Sequence, residues 1–175
     1  LFAGVSVPVL AQTVQLISAF DSSQSAPAGG GGDSGAPVIS PDGRYVLFAS
    51  SAGNLLLSSN NTAMPANALP SLNVFLRDRT NGTTALVSVN LAGTGGGNDT
   101  SLPVDLSTNG RYAVFTSSAS DLVPGDTNEA TDVFVRDLAE ATTSLVSVST
   151  NGGVGNGASG SAAMTPDGRY VAFVS

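Results

Sequence analysis

The sequence predicts an all-β protein, a β-propeller built of four-stranded antiparallel blades, and three observations lead there. One phrase recurs three times: SPDGRYVLFAS at 40–50, STNGRYAVFTS at 107–117 and TPDGRYVAFVS at 165–175. A second phrase falls twice between its copies, NVFLRDRTNGTTALVSVN from Asn73 and DVFVRDLAEATTSLVSVS from Asp132. The spacing is regular. Arg111 and Arg169 lie 58 residues apart, Arg77 and Arg136 lie 59 apart, and Arg44 and Arg111 lie 67 apart. The period is therefore 58–59, with about eight extra residues in the first copy. Those extra residues fall between Ala52 and Leu72, where Pro, Asn and Ser give loop composition. Four short strands per unit at such a period describe a propeller blade. A β-sandwich is the alternative, but sandwiches do not repeat their turns in register.

Each element has a local reason. Thr13-Val14-Gln15-Leu16-Ile17-Ser18 matches the outer strands of the later units, so residues 12–20 are expected to form a lone outer strand that completes a last blade. The first blade is expected over 36–90. Ala36–Ile39 is a short apolar run, and Pro41-Asp42-Gly43 turns the chain. Tyr45–Ala49 follows, β-branched, aromatic and apolar. Val74–Arg77 is the third strand, Asn81-Gly82 the second turn, and Thr84–Val89 the outer strand. Asp-Gly and Asn-Gly supply the positive φ that tight hairpins demand. The second blade, 102–149, repeats this order, and 161–175 begins a third. A ring of six to eight blades would need about 350–470 residues at this period. The remaining blades of its own propeller are thus expected partners.

The SPDGRYVLF and DVFVRD phrases resemble the WD40-like (PD40) repeats of the TolB-type bacterial propellers. Blades of that family carry a similar S-x-D-G-[KR] turn and a later D-[IV]-[FY]-x-x-D strand. The likeness covers nearly all of residues 12–175. Its motifs are specific for the fold and poor for function. The family's namesake has an α/β domain before its propeller, and nothing like it occurs in these residues, so the likeness is to the repeats.

Composition narrows the function classes. Charged residues make up 11% of the chain, and the net charge is −7 with six basic residues, all arginine. Nucleic acid and anionic membrane surfaces call for basic patches, so neither is an expected partner. There is no cysteine, which excludes disulfides and thiolate metal sites. Leu1–Leu10 is apolar, and Val9-Leu10-Ala11 before Gln12 fits a small-residue cleavage site. Residues 1–11 are expected to be the end of a signal peptide, which points to a secreted or periplasmic protein. A buried first strand is the other reading. The run is about half the roughly 20 apolar residues of a membrane-spanning helix, so no membrane insertion of the mature chain is expected.

Geometry then sorts the loops. The short turns at Asp42-Gly43 and Asn81-Gly82 share one face, and the long connections at 20–35, 51–72, 90–101, 118–131 and 149–161 share the other. Binding sites favour loops on a rigid scaffold, so the long-loop face is the candidate surface for a protein or carbohydrate ligand. Gly32-Asp33-Ser34-Gly35-Ala36-Pro37 resembles the nucleophile segment of chymotrypsin-like proteases, but the chain has no histidine to take the serine proton. The Gly29–Gly32 run lacks the Lys and following helix of a phosphate loop. No nucleophile–base pair is present, and the chain is expected not to be an enzyme. A propeller that gates a hydrolase domain elsewhere in a larger protein is the alternative.

Asp126, Asn128 and Asp132 are the candidate metal ligands. Oxygens at positions 1, 3 and 7 of a short loop can wrap calcium, although Asp and Asn equally cap turns through their own side chains. No other cofactor is implied. Arg44 and Asp78, and likewise Arg111 and Asp137, are expected to pair across adjacent strands as structural ion pairs.

Overall fold

Turn chemistry sets the hairpins. In the first, Gly43 N donates to Ser40 O at 2.8 Å and only the glycine has positive φ, +70°. This is a turn of type I closed by a left-handed glycine, not the two-residue turn with both φ positive. The Ser40 hydroxyl donates to Asp42 Oδ1 at 2.6 Å and accepts from Tyr45 N at 2.9 Å, which locks the loop. Ser107-Thr108-Asn109-Gly110 and Thr165-Pro166-Asp167-Gly168 repeat the arrangement.

The computed structural model describes residues 15–18, 31–56 and 71–175. Among them the strands are β1 (Ser34–Ile39), β2 (Tyr45–Ser50), β3 (Asn73–Asp78), β4 (Thr83–Leu86), β5 (Ser101–Leu106), β6 (Tyr112–Ser117), β7 (Asp132–Asp137), β8 (Thr142–Leu145), β9 (Gly160–Met164) and β10 (Val171–Val174). They form antiparallel sheets in the order β1-β2-β3-β4, β5-β6-β7-β8 and β10-β9. The described residues are therefore all-β, with two four-stranded propeller blades and two strands of a third. Registers repeat. Phe48 lies opposite Phe75 in the first blade, and Phe115 opposite Phe134 in the second.

The inner strands begin earlier than the apolar runs suggested, at Ser34, Ser101 and Gly160. A one-residue register shift explains it. Each inner strand slips between Gly35 and Val38, between Pro103 and Asp105, or opposite Ala172 to Val174. Ala36 and Ser161 have positive φ at these bulges. The bulge bends the strand and lets its first residues continue pairing.

The described part of the expected outer strand at 12–20 is 15–18, and it is not a strand. Ile17 instead packs on the outward face of the first blade, against the cluster of Phe48, Ala52, Leu55 and Phe75. The signal-peptide reading of 1–11 and most of the 51–72 connection lie outside the described residues.

The main core lies between the first two blades. Leu47, Val74, Leu76 and Val87 of the first meet Leu106, Ala113, Phe115 and Phe134 of the second. Phe115 and Phe134 stack at 5.5 Å between ring centres, fully buried. Blades are also joined by backbone. Ser101 N donates to Leu72 O at 2.8 Å, and Ser159 N to Thr131 O at 2.7 Å, at the same place in successive units. Asp105 Oδ2 accepts from Met164 N at 2.8 Å, tying the second blade to the third.

Candidate functional site

At the short-turn end the repeated charges meet. β2 begins opposite the end of β3, with Tyr45 across from Asp78. Arg44 therefore reaches Asp78 as a fork, with Nε 3.2 Å from Oδ1 and Nη2 2.8 Å from Oδ2. In the second blade Arg111 Nη2 lies 2.7 Å from Asp137 Oδ2, and Glu140 adds an oxygen at 3.6 Å. Each aspartate also caps its own turn. Asp78 Oδ1 accepts from Thr80 N and Asn81 N, and Asp137 Oδ1 from Ala139 N and Glu140 N. The arginine hydrogen bond, helped by the turn amides, holds each carboxyl down at about 2.

Each arginine also lies over the tyrosine that follows it, Arg44 over Tyr45 at 4.7 Å and Arg111 over Tyr112 at 5.0 Å. Each tyrosine in turn lies on the glycine turn of the next blade. A Cβ on Gly110 would come within 2.7 Å of Tyr45 Cζ, and Gly168 is covered in the same way by Tyr112. The run Asp78–Arg44–Tyr45–Gly110 is thus a continuous structural bridge from one blade to the next. The sequence reading found the charges and missed the tyrosines. Their signal was the Arg-Tyr pair that follows the turn glycine in all three copies of the repeated phrase, after Gly43, Gly110 and Gly168.

At the other end the candidate metal residues are close together but engaged with each other. Asp132 is fully buried. Its Oδ1 accepts from Ser147 Oγ at 2.6 Å and its Oδ2 from Asn128 Nδ2 at 2.7 Å. Asn128 Nδ2 also donates to Gly155 O at 3.0 Å, while its oxygen accepts from Ala130 N. Three partners fix that amide with its NH₂ toward Asp132. Asn128 therefore offers a donor where a cation would need an oxygen. Asn73 holds the equivalent place in the first blade, accepting from Ser88 Oγ at 3.0 Å. Buried Asp126 carries a carboxyl pushed up by desolvation and by the Asp132 charge. Among the described residues no group of three or more His, Cys, Asp or Glu side chains could hold a metal.

The serine of the protease-like segment is structural in its contacts. Ser34 Oγ donates to Ser50 Oγ at 2.9 Å, and Ser101 and Ser117 are paired likewise at 2.8 Å.

Two clefts of about 490–500 Å³ lie among the described residues. One lies on the outward face of the first blade, beside Ile17, Ile39, Val46 and Phe48. The other lies where the 89–93 segment leans on the second blade, lined by Val89, Leu91, Leu122, Pro124, Arg136 and Thr143. Leu91 N donates to Asp121 O at 2.7 Å, which joins two of the long connections and leaves the Leu91 side chain 61% exposed. Arg136 Nη1 donates to Thr143 Oγ1 at 2.9 Å. Burial lowers the Arg136 pKa, opposed by the Asp137 charge, yet a guanidinium stays charged in a protein.

No helix among the described residues is long and apolar enough to cross a membrane. No protein-family model matches the chain, and no curated protein matches it. Among solved structures, the chain is similar to the crystal structure of TolB from Acinetobacter baumannii, with 16% identity and a TM-score of 0.45. The match covers 86% of this chain and 28% of that one, so this chain spans under a third of the length of the protein it resembles.

Proposed function

We propose that this chain is part of a non-catalytic β-propeller scaffold, secreted or periplasmic, that binds a protein through its long connections. One observation carries the reading. The Arg44–Asp78 and Arg111–Asp137 side chains repeated in each blade are bonded to one another, while the 89–93 and 122–124 segments, which differ between blades, close over Arg136 and Thr143 of the second blade to form a cleft. That cleft offers apolar side chains and one cation. It suits a protein segment presenting an apolar residue beside a carboxylate. Its lining has no aromatic ring, and sugar rings are commonly held by stacking on such rings, which favours protein over carbohydrate. The absence of histidine and cysteine and the structural pairing of Ser34 support a role without catalysis.

The test is a displayed peptide library panned against the protein, with a glycan array run beside it. Peptides with an apolar–acidic pattern are expected, and Leu91→Asp should weaken them about tenfold or more, as for a central contact. Binding to glycans alone, or to peptides indifferent to Leu91→Asp, would overturn the proposal.

A further inference from the structure

The outer strand of the second blade is an edge beside the cleft. β8 pairs with β7 on one side and with no described strand on the other. Blades of a propeller stack through their faces, so this outer edge stays free however many blades the ring contains. Edge strands are commonly blunted by charge, proline or a bulge. β8 reads Thr142-Thr143-Ser144-Leu145, with no charge and no proline, and it keeps an unbroken register with β7. Thr142 and Thr143 line the cleft of about 500 Å³ beside which Leu91 is exposed.

Arg136 reaches toward that edge. It lies opposite Thr143, so the two side chains share one face of the sheet. Its Nη1 donates to Thr143 Oγ1 at 2.9 Å, which carries the guanidinium across from β7 onto β8. Arg77 does the same to Thr84 at 3.0 Å, so the reach is built into the blade. Arg44 and Arg111 are each paired with an aspartate, whereas half-buried Arg136 forms no ion pair among the described residues. The edge therefore carries a cation whose complement is an acid from outside.

We propose that the partner's segment enters this cleft as an extended strand and adds to β8 as the fifth strand of the blade, with an acidic side chain opposite Thr143 that pairs with Arg136. Alternate N–H and C=O groups of β8 supply the backbone hydrogen bonds, and the cleft selects the side chains. Side chains two residues from the acid lie on the same face of the incoming strand. An apolar one there packs against Leu91 and Leu122. The inference rests on the protein-binding reading of the cleft and adds to it the partner's conformation and the place of its acid.

Peptides recovered from the displayed library, remade with single N-methyl amides and measured by fluorescence anisotropy, test it. An N-methyl group removes a donor and blocks pairing on that side of a strand. Methylation at every second residue should weaken binding about tenfold or more, and methylation between those residues should leave it nearly unchanged. Replacing the peptide's acid by its amide should also weaken binding about tenfold. Amide hydrogen exchange in Thr142–Leu145 should slow when peptide is bound. Peptides that bind and depend on Leu91, yet show no two-residue period on methylation, would overturn this inference and leave the protein-binding reading standing. A library that yields no binding peptide would overturn both.

Discussion

The Tyr45 ring lies so close to the turn of the next blade that a Cβ on Gly110 would come within 2.7 Å of its Cζ atom. Gly43 occupies the equivalent turn with the same φ of +70°, and no ring of the described residues lies above it. The pair separates backbone strain from the contact between blades. Alanine at either site should cost about 1–2 kcal/mol for the left-handed backbone. Gly110→Ala should cost about 1 kcal/mol or more beyond Gly43→Ala, because the Tyr45 ring must move. Urea unfolding of both variants is the measurement, and equal losses would contradict the bridge.

The ion pairs make stability depend on acid. Asp78 and Asp137 titrate at about 2 in the folded chain, mainly through the hydrogen bonds from Arg44 and Arg111. The ordinary aspartate value is about 3.9. A lowered carboxyl contributes stability that is present above the unfolded value and lost as pH falls through the folded one. The loss should fall between about pH 4 and pH 2. Urea midpoints measured across that window should drop more steeply for the wild type than for a doubly substituted Arg44→Gln, Arg111→Gln chain.

One turn of the second blade departs from its pattern. Gly82 has φ +68° in the first blade, and Ala141 stands at the same place with φ +54°. An L-residue there is strained by about 1–2 kcal/mol, and glycine removes the strain at an entropic cost of about 0.5–1 kcal/mol. Ala141→Gly is therefore expected to raise stability by roughly 0.5–1 kcal/mol, read as a higher urea midpoint.

Two phenylalanines in one repeat position should respond differently. Phe115 is fully enclosed between blades, whereas Phe48 faces the open side of the first blade beside a cleft. Phe115→Ala should cost about 3–5 kcal/mol. Phe48→Ala should cost less, because its neighbours can relax into the cleft. Equilibrium unfolding of the two variants checks the order.

Calcium is expected to leave the melting temperature unchanged, because Asn128 turns its amide NH₂ toward Asp132. Asp126 adds a second expectation. Its carboxyl is raised by desolvation first and by Asp132 second. Its charged form therefore opposes folding above its folded pKa, and stability recovers as pH falls through that value. Asp126→Asn should raise the melting temperature at neutral pH and flatten this dependence. A rise in melting temperature on adding calcium would instead show that the Asn128 amide turns over to bind it.

Local chemistry was legible in the residues themselves. The Asp-Gly and Asn-Gly turns, the apolar runs of Tyr45–Ala49 and Val74–Arg77, and the 58–59 period determine four strands per unit and their order. They also place Arg44 beside Asp78, since adjacent antiparallel strands bring the start of one to the end of the other. These features depend on residues near one another in the chain. The position of 15–18 did not follow from its likeness to an outer strand: Ile17 rests on Phe48 and Phe75, which the chain brings to it from 31 and 58 residues away. The direction of the Asn128 amide depends on Gly155, 27 residues away. Tyr45 and Gly110 meet only when two blades dock, 65 residues apart. The sequence alone determined the blade. Only the tertiary structure decided how blades hold one another, because that contact is made by faces the chain assembles from distant segments.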